Sequence, residues 1–69
     1  MTLRHLRVGT SAIIKNVNLE RLKSLGFVIG ATVTLLRRTR SCLHVRIGLT
    51  EWALRESTAD FVNIFGVEQ

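Results

Sequence analysis

Apolar and polar residues alternate along most of this 69-residue chain, and the alternation breaks once, near the middle of its first half. Ser11 to Val17 carries Ile13, Ile14 and Val17 around Lys15 and Asn16 and reads as the first full strand. From Ala31 to Arg38, Ala31, Val33 and Leu35 fall on one face. Thr32, Thr34 and Leu36 fall on the other, which runs out into a solvated Arg38. The clearest strand is Cys42 to Gly48, where Leu43, Val45 and Ile47 alternate with Cys42, His44, Arg46 and Gly48. Thr39-Arg40-Ser41 is polar and short enough for the hairpin loop between these two strands. Gly48 to Glu51 makes another tight connection into Trp52-Ala53-Leu54-Arg55, Glu56 to Asp60 suggests one helical turn, and Val62-Asn63-Ile64 closes as the last strand. At the ends, the mixed spacing of Leu3, Leu6 and Val8 fits a short turn or strand folding back on the sheet, and Gly66 to Gln69 is expected to fray.

The break is Asn18 to Gly30, which combines a helix start, a helix stop and a turn. Asn18 is a good N-cap residue, and Glu20 sits in the first turn, where the helix dipole favours a negative charge. Gly26 can take the left-handed conformation that ends a helix. Leu19, Leu22 and Leu25 recur at spacing three, so this short helix can plug the open end of a sheet. Gly30 then marks a second reversal before the next strand.

The pattern is therefore mainly β, with about five strands, one short α-helix between the first strands and a helical turn before the last. Short strands joined by tight turns predict a small barrel that removes its sheet edges by closing. The chain has no proline, which leaves glycine to make every sharp reversal. At 69 residues it forms a single domain, 1–69, with little spare stability. One cysteine, Cys42, rules out an internal disulfide, so the fold rests on its apolar core and fits a reducing compartment. No apolar run approaches the roughly 20 residues of a membrane span, and the N-terminus lacks the apolar stretch of about 7–15 residues of a signal peptide. A cytoplasmic protein is expected.

Arg21-Leu22, two residues, Leu25-Gly26, three residues, Gly30 and then the β-run from Ala31 form a signature that resembles the ferrous iron transport protein A (FeoA) family. Leu54-Arg55 followed by Ala59, Val62 and Ile64 resembles the family's closing pattern of a Leu-Arg strand, a short helix carrying an Ala and a final strand. Together these motifs cover nearly the whole chain. The resemblance implies an SH3-like β-barrel, not an enzyme, and no cofactor. It implies an accessory role in bacterial ferrous iron uptake: docking on the membrane transporter, the B component with its cytoplasmic GTP-binding domain, and modulation of its assembly or activity. The family often has proline just before the second glycine, where this chain has Ile29. The same domain type also occurs fused to metal-dependent transcriptional regulators, so a metal-sensing module is one alternative role.

The formal net charge of +5 makes an anionic partner the natural one, whether nucleic acid, a membrane surface or an acidic protein face. Arg37, Arg38 and Arg40, with Arg46 on the next strand, form a positive patch at one hairpin. Such a patch can meet an acidic partner surface, or simply be a solvated end that discourages edge-to-edge aggregation. A small nucleic-acid-binding barrel is the other alternative. The absence of Tyr and the scarcity of aromatic residues for base stacking argue against it. Arg21 and Lys23 flank the family signature as further partner-contact candidates, while Gly26 and Gly30 shape the backbone.

Trp52 shares a strand face with Leu54, which places it against the core. As the only tryptophan it is also a candidate interface anchor. Cys42 and His44 lie two apart on one strand face and have the chemistry for transition metals, but two ligands do not make a site. His5 or Glu51 would have to arrive through the fold to complete one, so no metal site is expected. No phosphate-cradling glycine loop and no nucleophile with its base stand out, and the five carboxylates are scattered singly. A homodimer is compatible with a small barrel of this kind, though nothing in the sequence requires one.

Overall fold

A computed structural model describes residues 1–65. The strands are β1 (Ser11–Val17), β2 (Thr32–Arg38), β3 (Cys42–Ile47), β4 (Thr50–Arg55) and β5 (Val62–Ile64), close to where the alternation places them, except that β4 starts two residues early because Thr50 and Glu51 pair with Ile47 and Arg46 and leave only Gly48 and Leu49 in the turn. A short helix, α1 (Glu20–Lys23), separates β1 from β2, and α2 (Glu56–Ala59) separates β4 from β5. The N-terminal segment forms a 3₁₀ turn at Leu3–His5. The strands make one antiparallel sheet in the order β4-β3-β2-β1-β5. Its inner face buries Ile14, Val33, Leu35, Leu43, Val45, Val62 and Ile64, while Leu3, Leu6, Leu22, Phe27 and Ala59 complete the core from the connecting segments. The fold is mainly β, five antiparallel strands with two short helices. The calls on Gly66 to Gln69 fall outside the described residues.

Three local expectations give way to longer-range bonds. Asn18 does not cap α1: the N-cap position is Leu19, without a side-chain cap bond. Asn18 instead donates its backbone N–H to the carbonyl of Phe61 at 2.8 Å, which holds it one residue upstream of the cap as an extension of β1. The sheet also does not close on itself. Among the described residues β4 and β5 do not pair, because Met1 and Thr2 take the place beside β5. The Ile64 N–H donates to the Met1 carbonyl at 2.9 Å, and Thr2 bridges Asn63. Nor does glycine make every reversal. In the β2–β3 loop the hydroxyl of Thr39 accepts from the Cys42 N–H at 3.2 Å, and the Thr39 N–H donates to the Cys42 carbonyl at 2.9 Å. A threonine side chain thus does what a left-handed residue does elsewhere.

The Asn18–Gly30 segment is nonetheless the device its sequence suggests. The Phe27 N–H donates to the Leu22 carbonyl at 3.2 Å and the Gly26 N–H to the Lys23 carbonyl at 3.2 Å. With Gly26 at φ 103°, these are the paired bonds of a Schellman stop, and the associated apolar residues Leu22 and Phe27 are both buried. Four residues later the Ala31 N–H donates to the Val28 carbonyl at 3.1 Å with Gly30 at φ 90°, the arrangement of a type II turn whose third position is glycine. Ile29 occupies the second position of that turn, where proline is favoured. The turn is pinned to β1 by two bonds of 2.9 Å, Gly30 N–H to the Ile14 carbonyl and Ile14 N–H to the Ala31 carbonyl.

Candidate docking surface

The chemistry available to this domain lies in its exposed cations. Among the described residues, carboxylates pair only with Arg4, which meets Glu56 at 2.9 Å and Asp60 at 3.3 Å, and with Lys23, which meets Glu20 at 3.3 Å. Arg21, Arg37, Arg40, Arg46 and Arg55 have no such partner. An exposed cation that no carboxylate neutralises keeps its field available to an incoming anionic group.

The predicted contact residues do not form one cluster. Arg37 and Arg40 sit exposed at the β2–β3 hairpin, as the alternation suggests. Arg38 is next to them in sequence but is not merely solvated. Its guanidinium donates to the carbonyls of Arg4 at 2.9 Å and Leu6 at 3.0 Å, tying the N-terminal segment to β2. Arg21 and Lys23 project from α1 at another end of the sheet, and Lys23 is engaged by Glu20. Trp52 on β4 is half-buried and packs against the core, with its indole N–H buried and without a hydrogen-bond partner among the described residues. Gly26 and Gly30 act through backbone conformation, as described above.

Cys42 and His44 are both half-buried on β3, opposite Arg55 and Ala53. Neither His5 nor Glu51 joins them: among the described residues no three His, Cys, Asp or Glu side chains come together as a metal-binding group. His5 lies instead against Thr2, with Nδ1 at 3.2 Å from the Thr2 hydroxyl.

Two open grooves flank α1. The first, about 440 Å³, is lined by Asn16, Val17, Lys23, Phe27, Val28 and Ile29. The second, about 460 Å³, runs between α1 and β4, with Arg21 and Leu25 on one wall and Ala53 and Arg55 on the other. Arg55 also faces a third depression that it shares with Arg40, so it links the cations of α1 to those of the hairpin. Arg55 belongs to the closing motif but not to the contact residues expected from the sequence. The signal was present in the strand, since Trp52 and Leu54 facing inward put Ala53 and Arg55 outward.

The FeoA domain model matches residues 1–64. The chain belongs to the FeoA family. No curated protein matches the sequence significantly, but solved structures do. FeoA from Stenotrophomonas maltophilia, crystallised with zinc and described as a prokaryotic SH3 domain protein and candidate ferrous iron transport activating factor, is 34% identical. It superposes with a TM-score of 0.88 over 94% of this chain and 89% of that one. Iron(II) transport protein A from Clostridium thermocellum is 27% identical with a TM-score of 0.85, covering 93% of this chain and 44% of that one. A FeoA protein from Chlorobium tepidum is 25% identical with a TM-score of 0.84, covering 93% and 68%. Among the described residues of this FeoA domain, no helix is long and apolar enough to cross a membrane.

Proposed function

We propose that this FeoA-domain protein acts in the cytoplasm as an accessory to ferrous iron uptake, docking on the cytoplasmic GTP-binding domain of the membrane transporter's B component and modulating its assembly or activity. The mechanism is surface recognition. The observation that carries this reading is a small β domain, in a family tied to ferrous iron transport, whose exposed Arg21, Arg37 and Arg40 have no carboxylate partner among the described residues. The description of the Stenotrophomonas maltophilia relative as a candidate activating factor supports the same role. Arg21, Lys23, Arg37 and Arg40 are the contacts, and Trp52 supports the strand beside them. Arg38 contributes by holding the N-terminal segment in place.

Uptake of ferrous iron by cells carrying the transporter, with and without this protein, tests the role. Loss of uptake on deletion, restored by the wild-type chain and not by one with Arg21, Arg37 and Arg40 changed to Glu, is the expected result. Unchanged uptake on deletion contradicts it.

A further inference from the structure

The outer edge of β4 carries the most specific unassigned feature of the surface. The β3–β4 turn has Gly48 at φ 62° and no left-handed residue after it, the pattern of a type II′ hairpin with Ile47 and Thr50 as its hydrogen-bonded pair. Bonding then alternates along the register, so that Val45–Trp52 and Leu43–Leu54 are bonded pairs. The next bonded position checks the phase: the Glu56 N–H donates to the Ser41 carbonyl at 3.1 Å. Glu51, Ala53 and Arg55 therefore turn their backbone N–H and C=O groups away from β3. Among the described residues no strand pairs with this edge, and of these groups only the Arg55 carbonyl, at the N-cap of α2, has a backbone partner, in the first turn of that helix. The opposite edge of the sheet is handled differently, since Met1 and Thr2 cover β5.

An uncovered strand edge is a template for one more strand, and the surroundings specify its chemistry. Beside the edge runs the groove between α1 and β4, whose apolar lining is Leu22, Leu25 and Leu54. Side chains of an added strand that point inward would lie on those leucines, and the alternate ones would lie outward, next to Arg55 and within reach of Arg21. Neither arginine has a carboxylate partner among the described residues. Glu51, at the far end of the edge, sets polarity by repelling acid there.

We propose that β4 accepts an extended segment of a partner protein as a sixth strand, with apolar residues alternating with Asp or Glu and its most acidic end against Arg55 and Arg21. This rests on the docking reading and names the surface that docking uses. The probe is a capped seven-residue peptide alternating valine with glutamate, compared with its valine–lysine counterpart, titrated into the full chain and followed by amide NMR and hydrogen exchange. The glutamate peptide is expected to shift the Glu51, Ala53 and Arg55 amides, and at tenfold excess over Kd to slow exchange at Ala53 and Arg55 roughly tenfold.

Ala53→Pro removes an edge donor at a position where proline is compatible with the fold, and should abolish binding. If that variant fails to fold, the double variant Arg21→Glu/Arg55→Glu should weaken binding by roughly tenfold. Equal binding of the lysine peptide, shifts confined to other surfaces, or an Ala53 amide already slow to exchange without peptide each overturn the proposal. A transporter GTP-binding domain that binds wild type and Ala53→Pro equally also overturns it while leaving docking intact. Peptide binding without binding of that domain supports the edge site and removes docking instead.

Discussion

A guanidinium nitrogen of Arg38 donates to the carbonyl of Leu6 at 3.0 Å, across 32 positions of sequence, and the same nitrogen reaches the carbonyl of Arg4 at 2.9 Å. The two bonds fasten the 3₁₀ turn whose Leu3 and Leu6 are part of the core. Arg38→Ala should lower the unfolding free energy by about 1–2 kcal/mol, since bonds to a charged donor are lost at a partly exposed site. Arg38→Lys should recover only part of this, because a lysine ammonium lacks the planar fork. Urea denaturation checks both, and an Arg38→Ala protein as stable as wild type would remove the fastening role.

Trp52 presents the reverse situation. Its ring packs against the core, but its buried indole N–H has no partner among the described residues, and an unmade bond in such a place costs roughly 1–3 kcal/mol. Trp52→Phe, which removes the donor and keeps an aromatic ring, should be neutral or stabilising by up to about 1 kcal/mol. Trp52→Ala should destabilise by about 2–4 kcal/mol, somewhat less than a fully buried aromatic. Thermal unfolding of the two variants separates the donor from the ring.

Ile29 occupies the turn position where the family often carries proline, and its N–H makes no backbone bond outside the regular elements. Ile29→Pro should therefore stabilise the fold by about 0.4–1 kcal/mol, acting through the unfolded chain. Gly30→Ala should do the opposite. A Cβ at Gly30 meets nothing within 4 Å, so the penalty is the left-handed backbone alone, about 1–2 kcal/mol. Denaturant midpoints of the two variants should move in opposite directions.

The strand plan was legible because one buried face imposes a period of two. Val33 and Leu35, Leu43 and Val45, and Val62 and Ile64 announce their own orientation. Gly26 and Gly30 were legible too, since a positive φ selects glycine locally. What stayed hidden depends on partners far away in sequence. Asn18 is a good cap in isolation and is claimed by Phe61, and Arg38 resembles a solvated strand end until the N-terminal turn arrives beneath it. The open edge of β4 is likewise a matter of which segment reaches β5 first. The surface was partly legible, since Arg21, Arg37 and Arg40 are exposed as their positions suggest, and Arg55 follows from the inward placement of Trp52 and Leu54.

The absence of Tyr leaves little surface for bases to stack on, and the basic side chains lie on several elements rather than in a single run. In a gel shift with single-stranded RNA and duplex DNA at 150 mM salt, retention is expected to be absent at concentrations up to about 100 μM, which lies at the weak end of non-specific binding. Tight retention that weakens steeply with salt would favour the nucleic-acid reading instead.

The most direct test of the central claim is a calorimetric titration of the wild-type protein against the isolated cytoplasmic GTP-binding domain of the ferrous iron transporter, with GTP analogue, with GDP and without nucleotide. Docking predicts saturable one-to-one binding in at least one of these states, weakened at least tenfold by changing Arg21, Arg37 and Arg40 to Glu. No binding in any state at high micromolar concentration would contradict it.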